Sequence, residues 1–582
     1  MPRVLKVTRV RHPAIGTIGL CVVVLAVQQL ESQSGAPAIR EQIREQIMPP
    51  RGGPREMPTG TAVIRGTVVA ADNGSPIRRA QVRASGQGVP PRLASTDAHG
   101  RFELRDLPAG RYTLTASKSG FVSLQYGQRR PSESGTPLEI RDAQVLEKVV
   151  IGLPRGSVIG GRITDEFGEP IANAVVSAMR YGYSGGTRRL MAAGGNARDT
   201  TDDQGQFRLF GLAPGEYVIS AMLRAGGPEA ADPAGESTGY PPTYYPGTAN
   251  VAEAQRVTLS VSHEQQGITF ALIATRLVRV TGAVINSQGA PVTEGMIMLA
   301  PAGSQVRPVG NAISTRLDSG GQFRLTNVAP GRYIAQVRTN RGRNPGEPEF
   351  GRQDITVGGD DLHGVVVVTG PGARVSGQIV TDTGAPTALR PQQVQVAARA
   401  ALADQVLPGT AGSSRINDDW TFELTGLFDA RLFRVSAPQG WMLKSVTLNG
   451  QDITDVPMEF PAGQAFNGLQ VTITNRTTGL TGRVTDARGT AITDATIVVF
   501  PADESRWTYL SRFIRTARPD QDGQFQMNGL PALDRYLALA VQGLEDGQAN
   551  DPEFLASIRE KATSFSLSEG ETRALDLRFS PR

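Results

Sequence analysis

The phrase "TDAHGRFELRDLPAGRYTL" from Thr96 recurs as "TDDQGQFRLFGLAPGEYVI" from Thr201, and nothing else in the chain constrains its fold so strongly. Related phrases begin at Leu317 and Pro519, and a degraded one begins at Ile416, with Trp420 in place of the turn glycine and Phe428 in place of the proline. A second phrase precedes each of them. It reads "GTVVAADNGSPIRRAQV" from Gly66 and "GRITDEFGEPIANAVV" from Gly161, and it returns from Gly282, Gly377 and Gly482. These glycines stand 95, 121, 95 and 105 residues apart. That period is too long for solenoid repeats, so each copy should own a core of about immunoglobulin size.

Alternation inside the phrase predicts strands. Phe102 and Leu104 alternate with Arg101, Glu103 and Arg105, and Tyr112, Leu114 and Ala116 alternate with Arg111, Thr113 and Thr115. That is period 2, one face buried and one wet. The Pro-Gly step between the two runs reads as a hairpin-like reversal. Asp97 and Gly100 read as a turn, the carboxylate accepting backbone N–H groups and the glycine supplying positive φ. Helical pattern is scarce; the best candidate is "DPEFLASIREKA", Asp551 to Ala562, with Asp551 as cap and Pro552 in the first turn. With 67 Gly and 39 Pro in 582 residues, the composition suits many short strands joined by turns.

The chain therefore reads as all-β, with five tandem immunoglobulin-like or transthyretin-like β-sandwiches after an N-terminal segment. The expected division is 61–155, 156–276 with a long loop insertion, 277–371, 372–476 with the degenerate motif, and 477–582 with a short helix near 551–562. Short connections between copies predict a semi-rigid rod. Residues 1–35 read as a signal peptide or anchor, because "MPRVLKVTRVRH" precedes the apolar run Ala14–Val27. That run is short for a membrane span, and an uncleaved anchor would be the only membrane contact. Residues 36–60 form a Pro/Gly-rich linker. The single cysteine, Cys21, lies within the apolar run, so a cleaved chain has no disulfide and no thiol chemistry. Export to the periplasm, the cell envelope or the outside follows.

The repeated residues resemble the carboxypeptidase regulatory-like domain family, small transthyretin-like sandwiches related to starch-binding-like and collagen-adhesin B-type modules. The shared pattern is G-x-[IV], G-x-P, A-x-V, D-x-x-G-x-F-x-[LM] and L-x-P-G-x-Y, spread over about residues 61–580. In metallocarboxypeptidases such a module is an appendage to the catalytic domain, so the resemblance implies a fold and no peptidase activity. Collagen-adhesin B-type domains can carry a lysine–asparagine isopeptide bond, with the lysine in an early strand. None of the five lysines here lies in a first strand, so no such bond is expected.

Little in the sequence offers chemistry. His99, His263 and His363 fall in different copies without ligand spacing, so neither a metal site nor a cofactor is expected. "GESTG" at Gly235–Gly239 fits a nucleophile elbow only formally, since neither a strand before it nor a helix after it is predicted. Asp202, Asp203, Asp520 and Asp522 precede turn glycines but lack the spacing of a calcium loop. The net charge is +5; without residues 1–35, which hold four cations and one anion, it is +2. No stretch mixes clustered Lys or Arg with aromatics, which argues against nucleic acid.

Aromatic loops remain as candidate sites. Tyr240, Tyr244 and Tyr245 stand among prolines in the second copy's insertion, and Trp507 and Tyr509 in the fifth copy. Flat aromatics with a polar edge suit stacking on sugar rings; the alternative is that they fasten the loops to the sandwich. Trp420 and Trp441 read as core substitutes. The expected function is a non-catalytic exported binding protein, its partner a glycan or an envelope protein. A ligand-free stalk and an accessory partner of a peptidase are the alternatives.

Overall fold

A computed structural model describes residues 60–223, 237–302, 313–339, 349–382, 389–401, 412–414 and 416–579. The apolar run 14–27 and the linker lie outside them. Among the described residues no helix is long and apolar enough to cross a membrane. The architecture is all-β, a series of facing sheets closed over apolar clusters.

The first copy shows the plan. Strand Ala62–Ala70 lies between Arg101–Leu107, antiparallel, and Val145–Leu153, parallel. The facing sheet runs Val89–Ser95, Gln81–Gly86, Gly110–Ser117, Leu124–Gln125, with Leu138–Ile140 also paired to Gly110–Ser117. Ile64, Val68, Phe102, Leu104, Tyr112 and Leu114 meet between the sheets, each at most 4% exposed. At about 1.5–3 kcal/mol for each large side chain removed from water, such a cluster is what holds a sandwich closed.

The repeated phrase therefore does not form a hairpin. Arg101–Leu107 and Gly110–Ser117 belong to opposite sheets, and the Pro-Ala-Gly step carries the chain across the core. The same crossing links Gln206–Leu212 to Gly215–Leu223, and Gln524–Asn528 to Leu533–Gln542. The alternation holds, but it fixes only which face is buried, not the partner strand. In four of the five copies a tyrosine stands at this step: the Tyr112, Tyr217, Tyr333 and Tyr536 hydroxyls donate to the carbonyls of Pro108, Ala213, Ala329 and Pro531, at 2.5–2.9 Å. This is the corner bond that β-sandwiches use to tie a strand to the loop before it. The fourth copy has Leu432 and Phe433 there, and both are buried.

The other repeated residues are equally structural. Asp97 Oδ1 accepts the N–H groups of His99 and Arg101, both at 2.8 Å. Asp202, Asp318 and Asp520 do the same for the residues two and four places on. Gly100, Gly205, Gly321 and Gly523 follow with φ between 72° and 75°. Trp420 takes that position in the fourth copy at φ 66°, a left-handed conformation disfavoured for a bulky residue. Its indole packs partly buried against the local core, as does Trp441.

Two expectations change further. The second copy's tyrosine-rich stretch is not a loop. It contains strand Ser237–Tyr244, which pairs with Gly215–Leu223 and, at its start, with Thr275–Asn286 of the next copy. Proline is tolerated there because ladder pairing is interrupted between Ala221 and Leu223. Nor are the copies held apart as in a rod. The fifth meets the first through hydrogen bonds between residues as distant in sequence as Ser132 and Asp546. The linkers are short, but the direction in which each leaves its sandwich is set by tertiary contacts. The helix Pro552–Ile558 begins after Asp551, whose carboxylate accepts from Glu553 N–H at 3.1 Å.

Candidate functional site

The five aromatic residues are not brought together. Tyr244 is 8% exposed and packs with Met179, Leu190 and Val218, and burial raises its hydroxyl pKa above the ordinary range. Tyr245 lies edge-on to Phe270, with centroids 5.9 Å apart. Tyr240 is half-buried, and its hydroxyl donates to Glu166 at 2.8 Å. Loss of solvent, then the bond to that carboxylate, pushes its pKa up to about 12. Trp507 is 6% exposed; its indole N–H donates to the Pro501 carbonyl at 2.8 Å, and its ring meets Phe500 edge-on. Tyr509 is half-buried in the turn beyond it. Tyr244 and Trp507 thus spend their rings on packing, while Tyr240 and Tyr509 keep part of theirs at the surface.

The turn carrying Trp507 and Tyr509 nevertheless borders a site. A cleft of about 570 Å³ lies between the fourth and fifth copies, within the range of small-ligand pockets and at the kind of junction where they gather. Its walls include Lys444, Asp455, Arg476, Thr508, Arg512 and Glu569. Arg512 grips Asp455 with two nitrogens, at 2.9 and 2.7 Å, and donates to the Leu443 carbonyl at 2.9 Å. Beside it Arg434 donates to the carbonyls of Thr454, at 3.0 Å, and Leu510, at 2.8 Å. Burial lowers the Arg434 pKa to about 10, with Asp455 partly opposing the shift. Lys444 bridges Glu569 at 2.6 Å and Asp382 at 3.5 Å, and the bond to Glu569 holds its pKa above the ordinary value.

Arg512 with Asp455, and Lys444 with Glu569, are committed to one another, so this part of the cleft's polarity is fixed in advance of any ligand. Sequence reasoning missed it because its two walls come from copies read separately. Arg512 and Asp455 are 57 residues apart, and no local pattern marks the pair.

The three described histidines do not line the cleft. His99 sits in an exposed turn, His263 faces Gln265, and His363 Nδ1 pairs with the Thr281 hydroxyl at 2.9 Å. Among the described residues no three His, Cys, Asp or Glu side chains converge as a metal site would require. Ser237, the serine of "GESTG", begins a strand rather than following one.

Residues 63–144 and 158–264 match the carboxypeptidase regulatory-like domain family. The match falls on the first two copies, which are similar to that domain. The later copies lie outside the matched residues, but they share with these two domains the first-strand glycine pressed against a partner carbonyl. No curated protein matches the chain. Solved structures similar to it include a streptococcal ancillary pilin, at 13% identity and TM-score 0.19, over 53% of this chain and 98% of that one. GBS52, the minor pilin of Streptococcus agalactiae, is similar at 13% identity and TM-score 0.20, over 36% and 95%. BcpA, the major pilin subunit of Bacillus cereus, follows at 9% identity and TM-score 0.13, over 53% and 99%.

Proposed function

We propose that this chain is an exported, non-catalytic binding protein that seats a glycan in the cleft between its fourth and fifth copies. We take the five segments 61–155, 156–276, 277–371, 372–476 and 477–582 as its domains. The cleft carries the reading: it joins hydroxyls of Thr508 and Ser511 to the apolar surface of Met442 and Phe513, with fixed charges around them. Sugars present the same alternation of hydroxyl edges and apolar faces. Export rests on the basic-then-apolar N-terminus.

A glycan-array screen of the full chain tests this, with Thr508→Trp to fill the cleft and Tyr509→Ala and Tyr240→Ala to probe the exposed rings. Binding by the wild type that Thr508→Trp abolishes is the expected result. No binding, or binding that Thr508→Trp leaves intact, refutes the cleft as the seat. A second reading, a stalk without a ligand, is favoured by the inward packing of Tyr244 and Trp507; it predicts an empty array.

A further inference from the structure

The fifth copy reaches the first through a polar surface. Arg518, 6% exposed, donates to the Gly127 carbonyl and the Thr136 hydroxyl, both at 3.4 Å, and its own carbonyl accepts from Arg111 at 2.8 Å. Gln521 and Glu139 exchange two bonds, the Glu139 N–H donating to the Gln521 side-chain oxygen at 3.0 Å and the Gln521 amide donating to the Glu139 carbonyl at 3.1 Å. Asp546 donates its N–H to the Ser132 carbonyl at 2.8 Å and accepts from the Ser134 hydroxyl at 3.0 Å.

Among the described residues no apolar cluster spans this contact. The first copy's core includes Ala213 of the second but nothing from the fifth, and both clusters of the fifth stay within it. The other junctions are tied differently. The second and third copies share a ladder, Phe350 of the third meets Phe428 of the fourth edge-on at 4.5 Å, and Arg512 grips Asp455 between the fourth and fifth. The exposed hydrogen bonds here, which water can replace, add little net stability; Arg518, a buried charged donor, contributes more, partly offset by its unpartnered Nε, which costs desolvation.

We infer that the first and fifth copies form a reversible intramolecular clasp, closed by Arg518 and opening as a unit while every sandwich stays folded. Chain connectivity supplies the effective concentration that keeps so polar a contact shut. Interfaces between domains with little apolar area are expected to move in this way.

Disulfide trapping tests the clasp. The full chain carrying Cys21→Ser, Ser134→Cys and Asp546→Cys should cross-link within one molecule on mild oxidation. Arg518→Ala should slow that cross-linking about tenfold, the loss expected for a charged donor at a buried contact, with near-UV dichroism unchanged. Gln521→Ala, at a half-buried turn residue outside the core clusters, should slow it less and guards against misfolding of the first variant. In the wild type, hydrogen exchange at the Asp546 and Glu139 amides should be fast and matched, while amides of strand Gly110–Ser117 stay protected. Cross-links that form only between molecules, rates unmoved by both variants, or clasp amides as protected as the core would each overturn the inference.

Discussion

Gly482→Ala should unsettle the fifth copy far more than Gly489→Ala, although the two glycines lie seven residues apart. Gly489 sits at φ +83° with nothing near the site of a new methyl, so its replacement costs only the left-handed conformation, about 1–2 kcal/mol. Gly482 lies in the first strand, where a Cβ would collide with the Leu575 carbonyl and the Phe525 ring. The Leu575 carbonyl carbon stands 2.7 Å from the methyl position and ordinary contact begins at 3.4 Å. The carbon alone would have to retreat by about 0.7 Å, the difference of those two distances, and the carbonyl oxygen, which stands nearer still, by more, as in overpacked cores. The bond from Leu575 N–H to the Thr481 carbonyl, now 2.8 Å, would stretch toward the limit for a hydrogen bond. Overpacking at about 1–3 kcal/mol and one weakened bond at about 0.5–1.5 kcal/mol give roughly 1.5–4.5 kcal/mol in all.

Native-state hydrogen exchange in the full chain measures this copy by copy, through the amides of Gln524–Asn528 against those of Gly110–Ser117. Equal losses in the two variants would refute the reasoning. So would a Gly482→Ala loss spread evenly over all copies. Gly66, Gly161, Gly282 and Gly377 each face the corresponding carbonyl, of Val149, Ile268, Val365 and Leu469, so the argument applies to every copy.

Removing the corner bond with Tyr217→Phe should cost about 1 kcal/mol, seen as lost protection in Gly215–Leu223. Tyr240 has a raised pKa in the fold, so its neutral form is favoured there; its contribution is complete below pH 10 and lost as pH rises toward about 12. Absorbance titration of tyrosinate should lose its component near pH 12 in Tyr240→Phe, and an unchanged curve would contradict the assignment. Trp507→Ala should destabilise the fifth copy by about 3–5 kcal/mol, the usual cost of emptying a buried aromatic site. Arg512→Ala should loosen the fourth–fifth junction by about 1.5–3 kcal/mol, read as faster exchange around Thr454 with the sandwich cores unaffected.

The two halves of the repeated phrase show how far the sequence can be read. Phe102, Leu104, Tyr112 and Leu114 announce buried faces by alternation alone, and all four are buried. Asp97 and Gly100 announce a turn because side-chain acceptor and positive φ are local properties, and the turn is there. The Pro-Gly step suggests a hairpin and is instead a crossing, since nothing local separates a reversal within one sheet from a passage between two. The prolines around Tyr240 likewise suggest a loop, and only the neighbouring ladders show a strand.

Sequence by itself determined the all-β class, the repeat, the buried positions and the turns, because each depends on residues within a few places of one another. Tertiary structure alone decided which sheet each strand joins, that Tyr244 and Trp507 turn inward, and that Arg512 meets Asp455 across a cleft. It also decided that Arg518 lies against the first copy. Those outcomes depend on the direction in which each sandwich delivers the chain to the next, and that direction comes from contacts between residues more than 400 positions apart.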